Sequence, residues 1–147
     1  MLHDEKLVKK AEEIARKAHA RQVDKSGRPY IGHIERVANR VASDEAKCVA
    51  WLHDVLEDTD VLPEAELRRI FGEEIAEGVL SVTHRENESY EDFVRRASVN
   101  RLGREVKVAD LIDNSNLSRL EEVTLNDVRR QRKYNDALMY LLTMDYR

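Results

Sequence analysis

The amino-acid sequence predicts an all-α protein, a single compact bundle of about seven or eight helices. Apolar residues recur at intervals of three and four along most of the chain, which places them on one face of a helix. Only two prolines and five glycines occur, and they fall between these apolar runs. No stretch alternates apolar and polar residues as a strand does, so we expect no sheet. The first two helical faces are Leu7, Ala11, Ile14, Ala15 and Ala18, then Ile34, Val37, Ala38 and Val41.

The later helices follow in order, separated by short polar breaks. We expect one continuous helix through VAWLHDVLED at 49–58. Pro63 is typical of a helix start, and FGEE at 71–74 predicts a break before the next apolar face. The helix around 106–112 is the most uniformly apolar, so we expect it near the centre of the bundle. Thr124 is expected to cap the last helix.

Length and composition fit one folded domain spanning residues 1–147. The net charge of −4 gives no support to nucleic-acid binding. The single cysteine, Cys48, allows no disulfide within the chain and sits among apolar residues, so we expect it to be buried. We find neither a signal peptide nor the roughly 18 apolar residues of a membrane span, and we expect a cytoplasmic protein without a membrane partner. The sequence leaves the oligomeric state open.

The segment WLHDVLEDTD at 51–60 carries an unusual group of polar residues beside apolar ones. A solvated helix face normally mixes lysine or arginine with its acids, and this segment has neither. On a continuous helix, Glu57 follows His53 by one turn and Asp58 follows Asp54 by one turn. We therefore expect these four side chains to line one cleft, where His53 and Asp54 bind a metal.

Two further residues could complete a metal site. His33 lies just inside the helix of PYIGHIERVA, and Asp110 lies within the apolar helix of VKVADLIDN. A buried carboxylate is costly unless it is paired or binds a metal. Two neutral imidazoles and two carboxylates would balance a divalent cation such as Mn²⁺, Fe²⁺ or Zn²⁺. A lone helical histidine is more often a core or surface residue than a ligand, so the prediction depends on the ordered combination of all four.

Four blocks of sequence, in order, carry a resemblance to a known family: AHARQVDKSGRPYIGHIERVA, AWLHDVLEDTD, FGEEIAEGVLSVTHRE and VKVADLIDN. They resemble the HD superfamily of metal-dependent phosphohydrolases, and within it the hydrolase domain of RelA/SpoT enzymes and the small stand-alone alarmone hydrolases. The resemblance covers roughly residues 10 to 120. It implies an all-helical fold, a Mn²⁺ ion and removal of the 3′-pyrophosphate from ppGpp or pppGpp. Since 147 residues leave no room for the family's synthetase domain, we expect no synthetase activity.

Carried over by motif, the resemblance assigns three groups of residues. The metal ligands would be His33, His53, Asp54 and Asp110. The acidic pair tied to hydrolysis would be Glu57 and Asp58. The residues near a nucleotide substrate would be Lys25, Ser26 and Asn114.

Two positions depart from the pattern of the alarmone hydrolases. Asp24 and Leu111 stand where those enzymes usually carry arginine, and Asp113 appears beside Asn114. We therefore expect weaker hydrolysis of ppGpp and looser base selectivity than in a relative with both arginines. The alternative to an enzyme is an HD-fold module that binds or senses a nucleotide with little turnover.

Four other residues near these motifs are given more ordinary roles. Arg28 and Arg85 are interpreted as surface charges and only as weaker candidates for binding phosphate. Tyr30 is expected to pack against the first helix. Asp113 fits local pairing as well as substrate contact.

Overall fold

The computed structural model describes residues 2–143, and these form an all-α bundle as predicted. Within this range there is no strand, only an isolated antiparallel bridge between Val23 and Pro29. The helices are α1 (Leu2–Ala18), α2 (Ile31–Arg40), α3 (Asp44–Leu52), α4 (Val55–Asp58), α5 (Glu64–Ser81), α6 (Tyr90–Ser98), α7 (Arg101–Asn114) and α8 (Leu125–Thr143).

Side-chain caps explain where several helices begin. Ser43 accepts a hydrogen bond from the Ala46 amide at the start of α3. Thr124 precedes α8 and accepts from the Asp127 amide, while Asp127 accepts in return from the Thr124 amide. The predicted cap at Thr124 is therefore confirmed.

The core lies around α3, which packs against α1, α2, α5 and α7. Val49 and Leu52 on α3 are fully buried, and so is Val106 on α7. The α7 helix also packs against α2, α5, α6 and α8, in agreement with its expected central position. Cys48 is buried as expected. No helix in residues 2–143 has the length and apolar character needed to cross a membrane.

The break predicted at 71–74 occurs at Gly72, whose φ of 84° and ψ of 170° interrupt α5. This conformation favours glycine because a Cβ would be strained there. Pro63 directly precedes the first residue of α5, as expected. The structure thus agrees with both helix signals in this part of the sequence.

The prediction of one continuous helix over 49–58 is wrong. The α3 helix ends at Leu52, and a turn at His53 and Asp54 separates it from the single turn of α4. Asp54 has φ −112° and ψ 0°, outside the helical region. The His53 ring bonds the carbonyl of Ala50 at 2.6 Å, which ties this side chain to the end of α3. The break separates His53 on the end of α3 from Glu57 and Asp58 on α4.

Candidate metal centre and adjoining pockets

Three of the four predicted metal ligands come together between α2 and the turn after α3. One ligand atom each from His33, His53 and Asp54 lie within 4.8 Å of one another. Both histidines are buried, and Asp54 is partly buried. The fourth residue, Asp110 on α7, places Oδ1 2.9 Å from His33 Nε2 and 3.4 Å from His53 Nε2. The structure therefore brings all four residues into one cluster.

His53 is held in the orientation that a metal ligand needs. Its Nδ1 must donate to the carbonyl of Ala50, because a carbonyl oxygen can only accept. Its Nε2 is buried without a hydrogen bond to any residue in 2–143, and it lies 3.3 Å from Asp54 Oδ2. Burial opposes protonation of the ring, yet the charges of Asp54 and Asp110 raise the pKa of His53 to about 9. A divalent ion would satisfy the same nitrogen and the same negative charges.

His33 is oriented by a second carboxylate. Its Nδ1 lies 2.6 Å from Oδ2 of Asp113, which is almost fully buried on α7. A carboxylate that accepts from one ring nitrogen leaves the other nitrogen to face a metal, an arrangement common around metal-binding histidines. The chemistry of these donors therefore fits a divalent metal ion.

Asp110 is surrounded by groups that keep it ionised. Its carboxylate accepts from Lys107 Nζ at 3.2 Å and from Asn114 Nδ2 at 3.1 Å. Burial disfavours the charge, but Lys107 and the two histidines hold the pKa of Asp110 well below its usual value. Lys107 itself is buried, and Asp110 raises its pKa against the effect of that burial. The chain thus supplies an internal cation next to a predicted metal ligand.

A cavity of about 190 Å³, here called the metal pocket, opens beside this cluster. Glu57 stands on its rim with an exposed side chain. Partial desolvation against the pocket wall and the charge of Asp54 raise the pKa of Glu57. The residues lining this cavity are Tyr30, His53, Asp54, Glu57, Val82, His84, Tyr90, Phe93, Lys107, Asp110, Asn114 and Tyr134.

Asp58 does not line the metal pocket with Glu57, contrary to the expectation of one shared cleft. Its Oδ2 accepts a hydrogen bond of 3.3 Å from Gln22, whose Oε1 lies 2.8 Å from His19 Nδ1. Asp58 still follows Asp54 by one turn, because its amide donates to the Asp54 carbonyl at 3.1 Å, but its side chain bonds Gln22 instead of lining the cavity.

Tyr30 has a polar role that the sequence did not reveal. Its hydroxyl donates a short hydrogen bond to Asp54 Oδ2. Its ring also lies 5.5 Å from that of His33. Burial and the charge of Asp54 raise the pKa of this hydroxyl, so it stays a donor. Tyr30 therefore orients a predicted metal ligand in addition to packing.

A second cavity of about 290 Å³, here called the basic pocket, adjoins the metal pocket and shares Tyr30, Asn114 and Tyr134 with it. His33 also lines the basic pocket. The side chains that give it positive charge are Lys25, Arg36, Arg119 and Arg130.

The three predicted substrate residues all line the basic pocket, and Asn114 lines both cavities. Ser26 is already engaged, because its hydroxyl donates to the carbonyl of Arg119 at 3.1 Å. This bond joins the loop before α2 to the loop between α7 and α8. Lys25 makes no hydrogen bond or close ion pair with any residue described in the structure. Arg28 and Arg85 line neither cavity and are exposed, in agreement with surface roles.

Sequence reasoning missed the contribution of α8, which lies beyond the segment of resemblance. Tyr134 lines both cavities, and Arg130 lines the basic pocket while pairing with Asp127. Tyr90 was also missed, and its hydroxyl is buried in the metal pocket without a hydrogen-bond partner among residues 2–143. Lys107, which also lines the metal pocket, was missed as well. The sequence did carry a signal for it, because it is a charged residue within the most apolar helix.

Comparison with known protein families identifies the class to which this fold and these predicted ligands belong. The chain matches the HD domain family over residues 11–147, and it belongs to that family. The domain implies a divalent metal, in agreement with the His33, His53 and Asp54 cluster.

Curated relatives and one solved structure agree with this assignment. A probable guanosine-3′,5′-bis(diphosphate) 3′-pyrophosphohydrolase of Mycoplasma pneumoniae is 34% identical over 121 residues, 80% of this chain and 16% of that protein. A guanosine-3′,5′-bis(diphosphate) 3′-pyrophosphohydrolase of Aquifex aeolicus is 41% identical over 80 residues, 52% of this chain and 11% of that protein. The chain thus spans about a sixth or less of these relatives.

The solved structure is that of a metazoan ortholog of SpoT that hydrolyses ppGpp. It matches with a TM-score of 0.74 and 21% identity, covering 93% of this chain and 85% of that chain. At this identity the likeness supports the fold, and it confirms the predicted all-α HD bundle.

Proposed function

We propose that the chain is a metal-dependent hydrolase that removes pyrophosphate or phosphate from (p)ppGpp or a related nucleotide. The observation that carries this proposal is the cluster of His33, His53, Asp54 and Asp110, with Glu57 on the rim of the same pocket. The names of the curated relatives support the choice of ppGpp. Mn²⁺ is the proposed metal, following the resemblance to alarmone hydrolases.

The four clustered residues would hold the ion through His33 Nε2, His53 Nε2 and the carboxylates of Asp54 and Asp110. A divalent ion at such a site activates water and polarises a phosphoryl oxygen. Tyr30 keeps Asp54 in place, and Asp113 does the same for His33. The protein's part in the chemistry is thus a preformed set of donors.

Glu57 is the proposed proton acceptor. Its carboxylate lies at the mouth of the metal pocket, and its raised pKa brings it closer to the range in which a base works well near neutral pH. Asp58 has a supporting role in this proposal, because it bonds Gln22 and lies outside the pocket. Lys25 and Asn114 are proposed to bind the nucleotide where the two cavities meet.

The test is release of pyrophosphate and phosphate from ppGpp, pppGpp and a panel of other nucleotides. The purified protein is assayed with Mn²⁺, Fe²⁺ or Zn²⁺ and with a chelator, beside the Glu57→Gln variant. We expect metal-dependent release that the chelator abolishes and that the Glu57→Gln substitution strongly slows. Nucleotide binding without release under any metal would refute the hydrolase and favour the sensing module.

A further inference from the structure

Tyr90, the first residue of α6, has a buried hydroxyl that the packing of the protein does not explain. The oxygen has no hydrogen-bond partner among residues 2–143. A buried polar group without a partner costs free energy, and native structures contain only a few of them. A second such atom is Nε2 of His53, a predicted metal ligand. Both residues line the metal pocket, so two unpartnered polar atoms belong to one cavity.

The Tyr90 hydroxyl belongs to the metal pocket, although the ring of this residue also borders another cavity. This second cavity, of about 420 Å³, lies between α6 and α8 and is here called the α6–α8 cavity. Lys133 lines it, and its Nζ lies 4.2 Å from the centre of the Tyr90 ring. The charges that act on the hydroxyl include those of Lys107 and Asp110, which line the metal pocket and not the α6–α8 cavity. The hydroxyl therefore lies on the side of the predicted metal ligands.

Contacts of the ring hold this hydroxyl in place. The Tyr90 ring meets that of Phe93 edge to face, with centres 6.3 Å apart, and its centre lies 6.4 Å from that of Tyr134. Lys107 Nζ lies 5.6 Å from the ring centre and adds a cation–π attraction, as Lys133 does. Since none of these contacts uses the oxygen, removal of the hydroxyl alone should leave the ring where it is.

The hydroxyl has a proton to donate, and the pocket's own acids have other donors. Burial raises the pKa of Tyr90, Lys107 opposes this effect and Asp110 adds to it, so the group stays protonated. Asp54 accepts from the Tyr30 hydroxyl, and Asp110 accepts from Lys107 at 3.2 Å. A phosphoryl oxygen carries negative charge, and a hydrogen bond to such an acceptor is stronger than one to a neutral oxygen.

We infer that the Tyr90 hydroxyl is a further ligand-contacting group of this site, which donates a hydrogen bond to an oxygen of the phosphate group bound in the metal pocket. The inference rests on the proposed function, which places such a group at the metal centre. A donor that packing fixes in advance does not have to reorganise when the ligand arrives. The same oxygen is unpartnered among residues 2–143 because its acceptor is a ligand and not a side chain.

Binding of inorganic phosphate to the Mn²⁺-loaded protein tests this contact without any turnover. Tyr90→Phe removes the hydroxyl and keeps the ring. Broadening of the phosphorus NMR line by the bound Mn²⁺ reports the phosphate affinity, and metal analysis gives the Mn²⁺ content of each protein. Tyr140→Phe is the matched control, since Tyr140 lines the α6–α8 cavity and not the metal pocket.

We expect Tyr90→Phe to bind phosphate about tenfold more weakly than the native chain, because it loses a hydrogen bond to a charged group. Tyr140→Phe should bind phosphate like the native chain, and all three proteins should contain the same amount of Mn²⁺. Unchanged phosphate affinity in Tyr90→Phe would overturn the inference.

Urea unfolding in the presence of a chelator gives a second test that needs neither metal nor ligand. A hydroxyl without a partner inside the protein does not stabilise the fold, and its removal relieves the cost of burying it. Tyr90→Phe should therefore unfold at the same urea concentration as the native chain or at a higher one. A lower midpoint would show that the hydroxyl bonds within the protein, and it would overturn the inference.

Parallel assays of ppGpp hydrolysis separate this inference from the proposed function. If phosphate affinity falls in Tyr90→Phe while the native chain hydrolyses no nucleotide, the contact is upheld and the proposed function is lost. If native chain and Tyr90→Phe hydrolyse ppGpp with the same kcat/KM and bind phosphate equally, the function is upheld and the role of Tyr90 is lost.

Discussion

Replacing Asp113 by asparagine should weaken both the fold and the metal centre. The carboxylate is 1% exposed and contacts His33, Arg36 and Arg119. Burial alone would raise the pKa of Asp113, but the hydrogen bonds from His33 and Arg36 hold it well below the usual value. Asparagine keeps the size of the side chain while removing its charge, so the change isolates the electrostatic contribution.

The loss of stability can be worked from the contacts. A hydrogen bond to a charged group contributes about 1.5–3 kcal/mol when buried, and Asp113 makes one with a buried histidine and others with partly exposed arginines. Because Arg36 is 37% exposed, solvent replaces part of its interaction. We expect a net cost of about 2–4 kcal/mol, or roughly 5–15 °C in Tm.

The effect on the metal follows from the tautomer of His33. A carboxylate can only accept, so His33 Nδ1 must donate to Asp113 and Nε2 is free for the metal. The amide of asparagine can donate to Nδ1 instead, which allows the proton to reside on Nε2. Metal affinity should fall by about 10–100-fold, the usual effect of losing such a partner.

Two measurements on the same variant check these figures. Urea unfolding with a chelator present gives the free energy of unfolding without metal, and competition with a chelating indicator gives the metal affinity. Asp136→Asn is the control, because Asp136 is an exposed acid on α8 away from the centre. Unfolding within about 0.5 kcal/mol of the native chain, together with unchanged metal affinity, would show that Asp113 does not organise this site.

Three further predictions concern the proposed base, an ion pair near the start of α6 and the loop that carries Lys25. Glu57→Gln should lower kcat by about 10²–10⁴. Asp58→Asn should lower kcat less than tenfold, because Asp58 lies outside the metal pocket, and equal losses of kcat in the two variants would contradict this reasoning. Arg96 lowers the pKa of Glu88 to about 2, so this contact stabilises the fold fully above about pH 5 and is lost as pH falls toward 2. Glu88→Gln should therefore cost about 1–2 kcal/mol at pH 7 and little near pH 2 in urea unfolding, and a cost independent of pH would refute the assignment. Asp24→Arg should lower kcat/KM for ppGpp by roughly fivefold through the loss of two backbone hydrogen bonds, whereas Asp24→Asn keeps an acceptor and should change it little; improved turnover with arginine would reverse this reasoning.

The helices were predictable because their signals are local. The apolar spacing, the cap at Thr124 and the break at Gly72 depend on residues within a few positions of one another, and each appears where expected. The break at His53 was missed because apolar spacing does not reveal it; at this break the His53 ring bonds the carbonyl of Ala50. That residues 1–147 make one domain stays a prediction, and so do the roles of the individual site residues.

The partners of the site residues were harder to predict from the sequence, because they are distant along the chain. Asp113 meets His33 across 80 positions, and Ser26 meets Arg119 across 93. The α8 helix contributes Arg130 and Tyr134 from beyond the segment of resemblance. Motifs indicated the predicted ligands, whereas only the fold shows which groups contact and orient them.

The charge of the basic pocket illustrates this limit most clearly. From the sequence, an acid at position 24 in place of arginine predicts repulsion of a polyphosphate. In the structure, the Asp24 carboxylate accepts two backbone amides and shapes the loop that presents Lys25. Positive charge enters the pocket from other elements, with Arg36 on α2 and Arg119 in the loop before α8. The electrostatic fit to a nucleotide is therefore set by which cations face the cavity, and a single aligned position does not determine its sign.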